Sequence, residues 1–177
     1  MATFAACIAI VAMLPQGLTT PPIATALRGP WVGTLEYRDY QSGDRVRVAT
    51  MLRITPASDG KTFVFRYIYD DGPSKIIESK SDVIIDGSTY SVKPADEAAT
   101  VYRLSGLEKV KADGTGTLTL DGDGTENGAK VVVRVTVRVQ RDSLTFLRES
   151  KLEGKDWAFR NEYRFSRVVQ PKKGKPS

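Results

Sequence analysis

The chain has no histidine at all, and one cysteine, Cys7. These two scarcities exclude a great deal of chemistry. Without imidazole there is no Ser-His-Asp triad and no Cys-His nucleophile pair. The common His-containing zinc sites cannot be assembled, and neither can a cysteine-based structural zinc site. No histidine can ligate a haem. A lone cysteine forms no disulfide within the chain. Internal repeats and long low-complexity runs are also missing, and 177 residues suit one domain with a substantial core.

Charge is absent locally. Residues 1–26 carry no charged side chain, and within them "FAACIAIVAML" is a compact apolar run followed by Pro15 and Gly17. Further on, Ala24-Thr25-Ala26 places small residues at the two positions that a signal peptidase reads. Residues 1–26 therefore read as a secretory signal peptide cut before Leu27, with a secreted or periplasmic, cell-envelope location. The run is too short to span a bilayer comfortably, so no stable membrane span is expected after its removal. The mature chain would then hold no cysteine, which suits an oxidising compartment.

The rest of the chain is mildly basic, with net charge +5 and a pI near 9.3. Its Lys and Arg are scattered among Asp and Glu, and only the end, "PKKGKPS", is purely basic. Residues 170–177 read as a disordered basic tail. There is no aromatic-and-basic stacking platform, so no nucleic-acid partner is expected.

Residues 27–169 read as one all-β domain. "WVGTLEYRDY" and "RVRVATMLRIT" alternate apolar and polar residues, and "TFVFRYIY" puts Phe63, Phe65, Tyr67 and Tyr69 on one side. "AKVVVRVTVRVQ" does the same with five valines, leaving Arg134 and Arg138 on the other face. A period of two sends alternate side chains to opposite faces of a strand. About ten such strands follow one another. Asp-Gly recurs at 59–60, 71–72, 86–87, 113–114, 121–122 and 123–124, and this pair suits tight hairpin turns. No segment has helical periodicity to cover the apolar faces, so strands must bury them against strands. An antiparallel up-and-down β-barrel of about ten strands does this and removes the sheet edges; a two-sheet β-sandwich is the alternative.

The two ends of the domain resemble a known superfamily. Gly29-Pro30-Trp31 in "LRGPWVGTLEY" is similar to the Gly-x-Trp that opens the first strand of lipocalins and their calycin relatives. That resemblance implies a late Arg packed on the Trp, for which the chain offers Arg167, with Arg164 as alternative. The strand count is closer to fatty-acid-binding proteins or nitrobindin-like barrels. Nitrobindin-like barrels bind haem through a His near the end, which this chain lacks, so no cofactor is expected.

The last strand, "WAFRNEYRFSR", carries Trp157, Phe159, Asn161, Tyr163, Phe165 and Arg167 in one phase. If Trp31 points inward, that face lines the barrel. The expected ligand site is an internal cavity, open at the end away from Trp31, lined by Tyr37, Phe65, Tyr67, Phe146, Phe159, Asn161 and Tyr163. Such a lining would take a small apolar or amphipathic ligand with a small polar head. Arg134, Arg138 and Arg160 would lie outside. The alternative is a structural or interaction module of the cell envelope with a filled barrel. No catalytic machinery is expected. The strand carboxylates Glu36, Asp39, Glu149 and Glu162 are explained by ion pairing with neighbouring arginines. "DGDGTENG" spaces Asp121, Asp123, Thr125 and Asn127 like a calcium loop, but Glu126 and Val132 stand where Gly and Glu are wanted, so it reads as a polar hairpin turn and no metal is expected.

Overall fold

A computed structural model describes residues 22–39, 41–59 and 61–169. Ten antiparallel strands form a closed barrel in simple meander order. They are β1 (Gly29–Arg38), β2 (Arg45–Pro56), β3 (Thr62–Asp70), β4 (Ile76–Asp86), β5 (Thr89–Pro94), β6 (Thr100–Ser105), β7 (Gly116–Glu126), β8 (Ala129–Val139), β9 (Ser143–Lys151) and β10 (Ala158–Arg167). Each pairs with its successor, and β1 closes on β10. The expected barrel forms and the sandwich does not. The alternation that predicts it is cleanest in β2, where Val48, Thr50, Leu52 and Ile54 are buried and the residues between them are exposed.

Closure depends on a small residue. A methyl group added to Gly33 would lie 1.9 Å from the carbonyl oxygen of Arg164 on β10. No larger residue could stand there without prying the seam apart.

Two of the Asp-Gly turn expectations are corrected. Asp121-Gly122 and Asp123-Gly124 lie inside β7, whose pairing with β8 runs unbroken to Glu126 opposite Ala129. Asn127 and Gly128 make the turn, with φ of 50° and 77°. Two positive φ values match the hairpin twist, and Asn-Gly supplies them more cheaply than a residue with a branched side chain. The calcium-like spacing is thus stretched along a strand, and Asp121 is bonded to Arg134 at 2.8 Å. Among the described residues no group of three His, Cys, Asp or Glu is placed to hold a metal.

One end of the barrel is solidly packed. Trp31, Leu52, Ile54, Phe63, Leu118, Leu144 and Phe165 meet there, and all are buried. A six-residue helix, α1 (Pro22–Leu27), completes this floor. It begins on a proline, whose fixed φ and missing N–H suit a first helical position. Its Ile23, Ala24 and Leu27 are buried in the same core. The turn before β7 is shaped to receive it: a methyl group on Gly114, at φ 81°, would lie 2.4 Å from the Pro22 carbonyl oxygen. A cut before Leu27 would fall within α1 and separate Ile23 and Ala24 from the core they occupy. Residues 1–21 and 170–177 lie outside the described residues. No described helix is long and apolar enough to cross a membrane.

Candidate functional site: a cavity inside the barrel

Trp31 and Arg167 meet at the floor. They are register partners across the closing seam, and the Arg167 guanidinium sits 4.0 Å from the centre of the Trp31 ring. Arg167 also donates to the carbonyl oxygens of Ala26, Arg28 and Arg141, at 2.6, 2.8 and 2.8 Å. The Trp31 indole donates to the Leu27 carbonyl at 2.9 Å. The final carbonyls of a helix lack partners within it, so these side chains pin α1 where its backbone needs donors. Arg164 is exposed and bonds Glu162 instead.

Above this packed floor the barrel widens into a cavity of about 200 Å³. Five of the seven expected residues line it: Phe65 and Tyr67 from β3, Phe146 from β9, and Asn161 and Tyr163 from β10. Their rings interlock. Phe146 stands edge-on to Phe65 and to Tyr163, with centroids 6.3 and 6.4 Å apart, and Tyr67 tilts against Tyr163 at 5.4 Å. These are favoured aromatic geometries. The Tyr163 and Tyr69 hydroxyls are 3.1 Å apart and hydrogen-bond. Burial raises Tyr67 well above the ordinary phenol pKa and raises Tyr90 and Tyr163 as well, so all three are neutral donors and acceptors across the physiological range.

The other two expected residues lie elsewhere. Tyr37 is in register with Asn161 and with Val46 on the inner side of β1, yet it is not part of the cavity wall. Phe159 lies on the outer face. The β10–β9 register slips between Phe159 and Asn161: Phe159 sits opposite Glu149, and Asn161 sits opposite Arg148. One extra residue in a strand flips the phase of everything on one side of it. Phe159 accordingly lies beneath the Arg45 guanidinium, 4.1 Å from its ring centre, and Trp157 beneath that of Arg134 at 4.5 Å. Arg160, expected outside, is turned instead to Ser150 and Glu126, at 2.6 and 2.5 Å. Ser150 is buried and donates to Glu126 at 2.9 Å. Arg134 and Arg138 do lie on the outside, as expected.

Sequence reasoning missed Ser81, Tyr90, Tyr102 and Arg148, all on the cavity wall. Parity could have found Arg148, since it follows Leu144 and Phe146 at the same spacing. Tyr90 and Tyr102 lie on short strands that offer few alternations to fix a face.

The carboxylates are elsewhere. Glu36 is on the outer face, held by Arg45 and Arg47, each at 2.7 Å. Those hydrogen bonds, Arg47's first, hold its carboxyl below its ordinary value. Glu162 lies directly across from it and is bonded by Arg164. Asp39 accepts the N–H groups of Gln41 and Ser42, a turn-forming role. No carboxylate lines the cavity. A larger cleft of about 650 Å³ runs between the β7–β8 hairpin and the loop after β9. Asp123, Lys130, Lys151 and Glu153 mix both signs of charge along it, so nothing in it converges on one ligand group.

The fold is a closed barrel of ten antiparallel strands, and the late Arg packs on the first-strand Trp as the sequence resemblance implied. No protein-family model and no curated protein matches the chain's sequence. Among solved structures, lobster apocrustacyanin A1 is similar at 12% identity and a TM-score of 0.39, over 82% of this chain and 62% of that one. Apocrustacyanin C2 gives the same identity and TM-score over 82% and 63%. A protein of unknown function from the DUF3598 family of Nostoc punctiforme gives 7% and 0.23, over 85% and 100%. The chain spans a little under two thirds of either crustacyanin chain.

Proposed function

We propose that this is an exported, non-catalytic binding barrel that takes a small amphipathic ligand in its internal cavity. One observation carries the reading. A mixed aromatic and polar wall surrounds about 200 Å³ above a floor that is otherwise tightly packed. Protein interiors are close-packed, and a barrel whose only task is to stand up gains nothing from such a gap. The wall also offers Tyr, Ser, Asn and Arg side chains, more polar groups than a dry core keeps.

The size bounds the ligand. The cavity equals roughly seven water volumes at about 30 Å³ each. That is below the 300 Å³ or more of usual drug-sized sites, so the ligand has on the order of ten non-hydrogen atoms. Export rests on the uncharged apolar stretch before Pro22. Because α1 belongs to the core, the mature chain on this reading keeps Pro22 onward, and cleavage falls upstream of it.

Native mass spectrometry of the mature protein tests both parts. The expected spectrum shows a chain that has lost the apolar run and begins at or just before Pro22, with a co-purified or added small molecule held one to one. A chain that begins at Met1 or at Leu27, or one that never retains a small molecule, would contradict the corresponding part.

A further inference from the structure

Besides Arg167 at the floor, two arginines face the barrel interior along β9 and β10, and they are not equivalent. Arg160, towards the mouth, is neutralised by Glu126 and braced by Ser150. Arg148 is deeper, on the cavity wall, in register with Asn161 on one side and Val135 on the other. Among the described residues, no carboxylate forms an ion pair with Arg148 and no side chain hydrogen-bonds it. Its charge is felt at the Tyr163 hydroxyl, where it opposes the rise that burial causes. Arg148 is half-buried on a largely apolar wall, and an anion that fits the cavity would give its guanidinium a partner.

Three features narrow the anion. A guanidinium presents two parallel donors, which match the two oxygens of a carboxylate. The Asn161 amide beside it adds a donor. The remaining wall is mostly rings, Phe65, Tyr67, Tyr90, Tyr102, Phe146 and Tyr163, which favour a flat aromatic body through edge-on and tilted contacts. The volume excludes a long acyl chain. Building on the binding reading above, we propose that the cavity takes a compact aromatic carboxylic acid, with its carboxylate on Arg148 and its ring among the phenylalanines and tyrosines.

The test is calorimetric titration of the full chain with benzoate, with benzyl alcohol as its neutral counterpart, and with palmitate. Wild type is expected to bind benzoate about tenfold tighter than benzyl alcohol or better, a charge-assisted preference. Palmitate should bind more weakly than either. Arg148→Met should erase the preference for the acid while the alcohol still binds, which also reports a cavity that remains open. If Arg148→Met does not fold, Arg148→Lys serves: it keeps the charge, loses the fork, and should weaken benzoate while still favouring it over the alcohol. Equal binding of acid and alcohol to wild type, or a preference that survives Arg148→Met, would overturn the anion anchor and leave the binding barrel standing. Palmitate binding tighter than benzoate would overturn the aromatic class. Failure of all three to bind would overturn the binding reading itself.

Discussion

Arg167 ties the floor of the barrel together. It stacks on Trp31 and holds three carbonyls, two of them at the end of α1 or just beyond it. A cation–π contact of this kind contributes about 0.5–2 kcal/mol, and each charged hydrogen bond adds to it. Arg167→Ala should therefore cost about 2–3 kcal/mol in a urea melt. Trp31→Ala should cost about 3–5 kcal/mol, because it also leaves a cavity. The double mutant should fall short of the sum, since both changes break one contact. Strict additivity would mean that the stacking contributes nothing. Glu36 supplies a pH-dependent contribution. Its folded pKa is depressed below the ordinary 4.5 by Arg47 and then Arg45. An unfolded chain thus takes up this proton more readily than the folded one. The contribution is complete above the unfolded value and is lost as pH falls through the lower folded value. Glu36→Gln should flatten the acid side of a stability–pH curve below about 4.5 and leave its alkaline side unchanged. An unaltered acid slope would show that the arginines do not hold Glu36 in solution.

The elements show how far the sequence could be read. Strand existence, order and closure were all legible, because alternation and short turns are local and most strands are long enough to repeat their pattern several times. The inner phase of β3 and of the first half of β9 was legible for the same reason, and it brought Phe65, Tyr67 and Phe146 to the cavity. The bulge in β10 was not. "WAFRNEYRFSR" alternates without a break as text, and only the pairing of Phe159 with Glu149 and of Asn161 with Arg148 reveals the slip. At the slip Arg160 turns to Ser150 on the neighbouring β9 and to Glu126 on β7. Nothing within β10 itself announces that partner. Arg160→Ala removes the side chain that turns to Ser150 and Glu126 from the bulge. It should move the amide signals of Phe159 and Trp157 in an NMR spectrum far more than those of Phe165; equal shifts along the strand would argue that the bulge is independent of the ion pair. Helix α1 was hidden for another reason. Six residues are too few for a periodic signal, and "PPIATAL" has the small residues of a cleavage site. A chain that starts at Leu27 loses the buried Ile23 and Ala24. It should be less stable than one that starts at Pro22 by about 2–5 kcal/mol, the cost of deleting one large aliphatic side chain from a core. Equal denaturation midpoints would show that α1 is dispensable.

At the scale of the whole molecule the barrel is two halves of different character. The floor half is sealed by α1, Trp31 and Arg167 and is packed solid. The half above it keeps about 200 Å³ within a ring-lined, partly polar wall. This division separates stability from binding, so the two should respond to different substitutions. Val135 lies on the cavity wall and is only partly buried. Val135→Phe fills space there and should cost less than the roughly 1–3 kcal/mol of overpacking a filled core. Its effect on binding should be large. The most direct measurement is amide chemical-shift mapping with benzyl alcohol, a neutral probe that fits the volume whatever the charge preference. The account predicts saturable shifts centred on Phe65, Tyr67, Phe146, Asn161 and Tyr163, and their loss in Val135→Phe with the rest of the spectrum intact. Shifts centred on Val132, Lys151 and Leu152 in the outer cleft, or no saturable shifts at all, would contradict it.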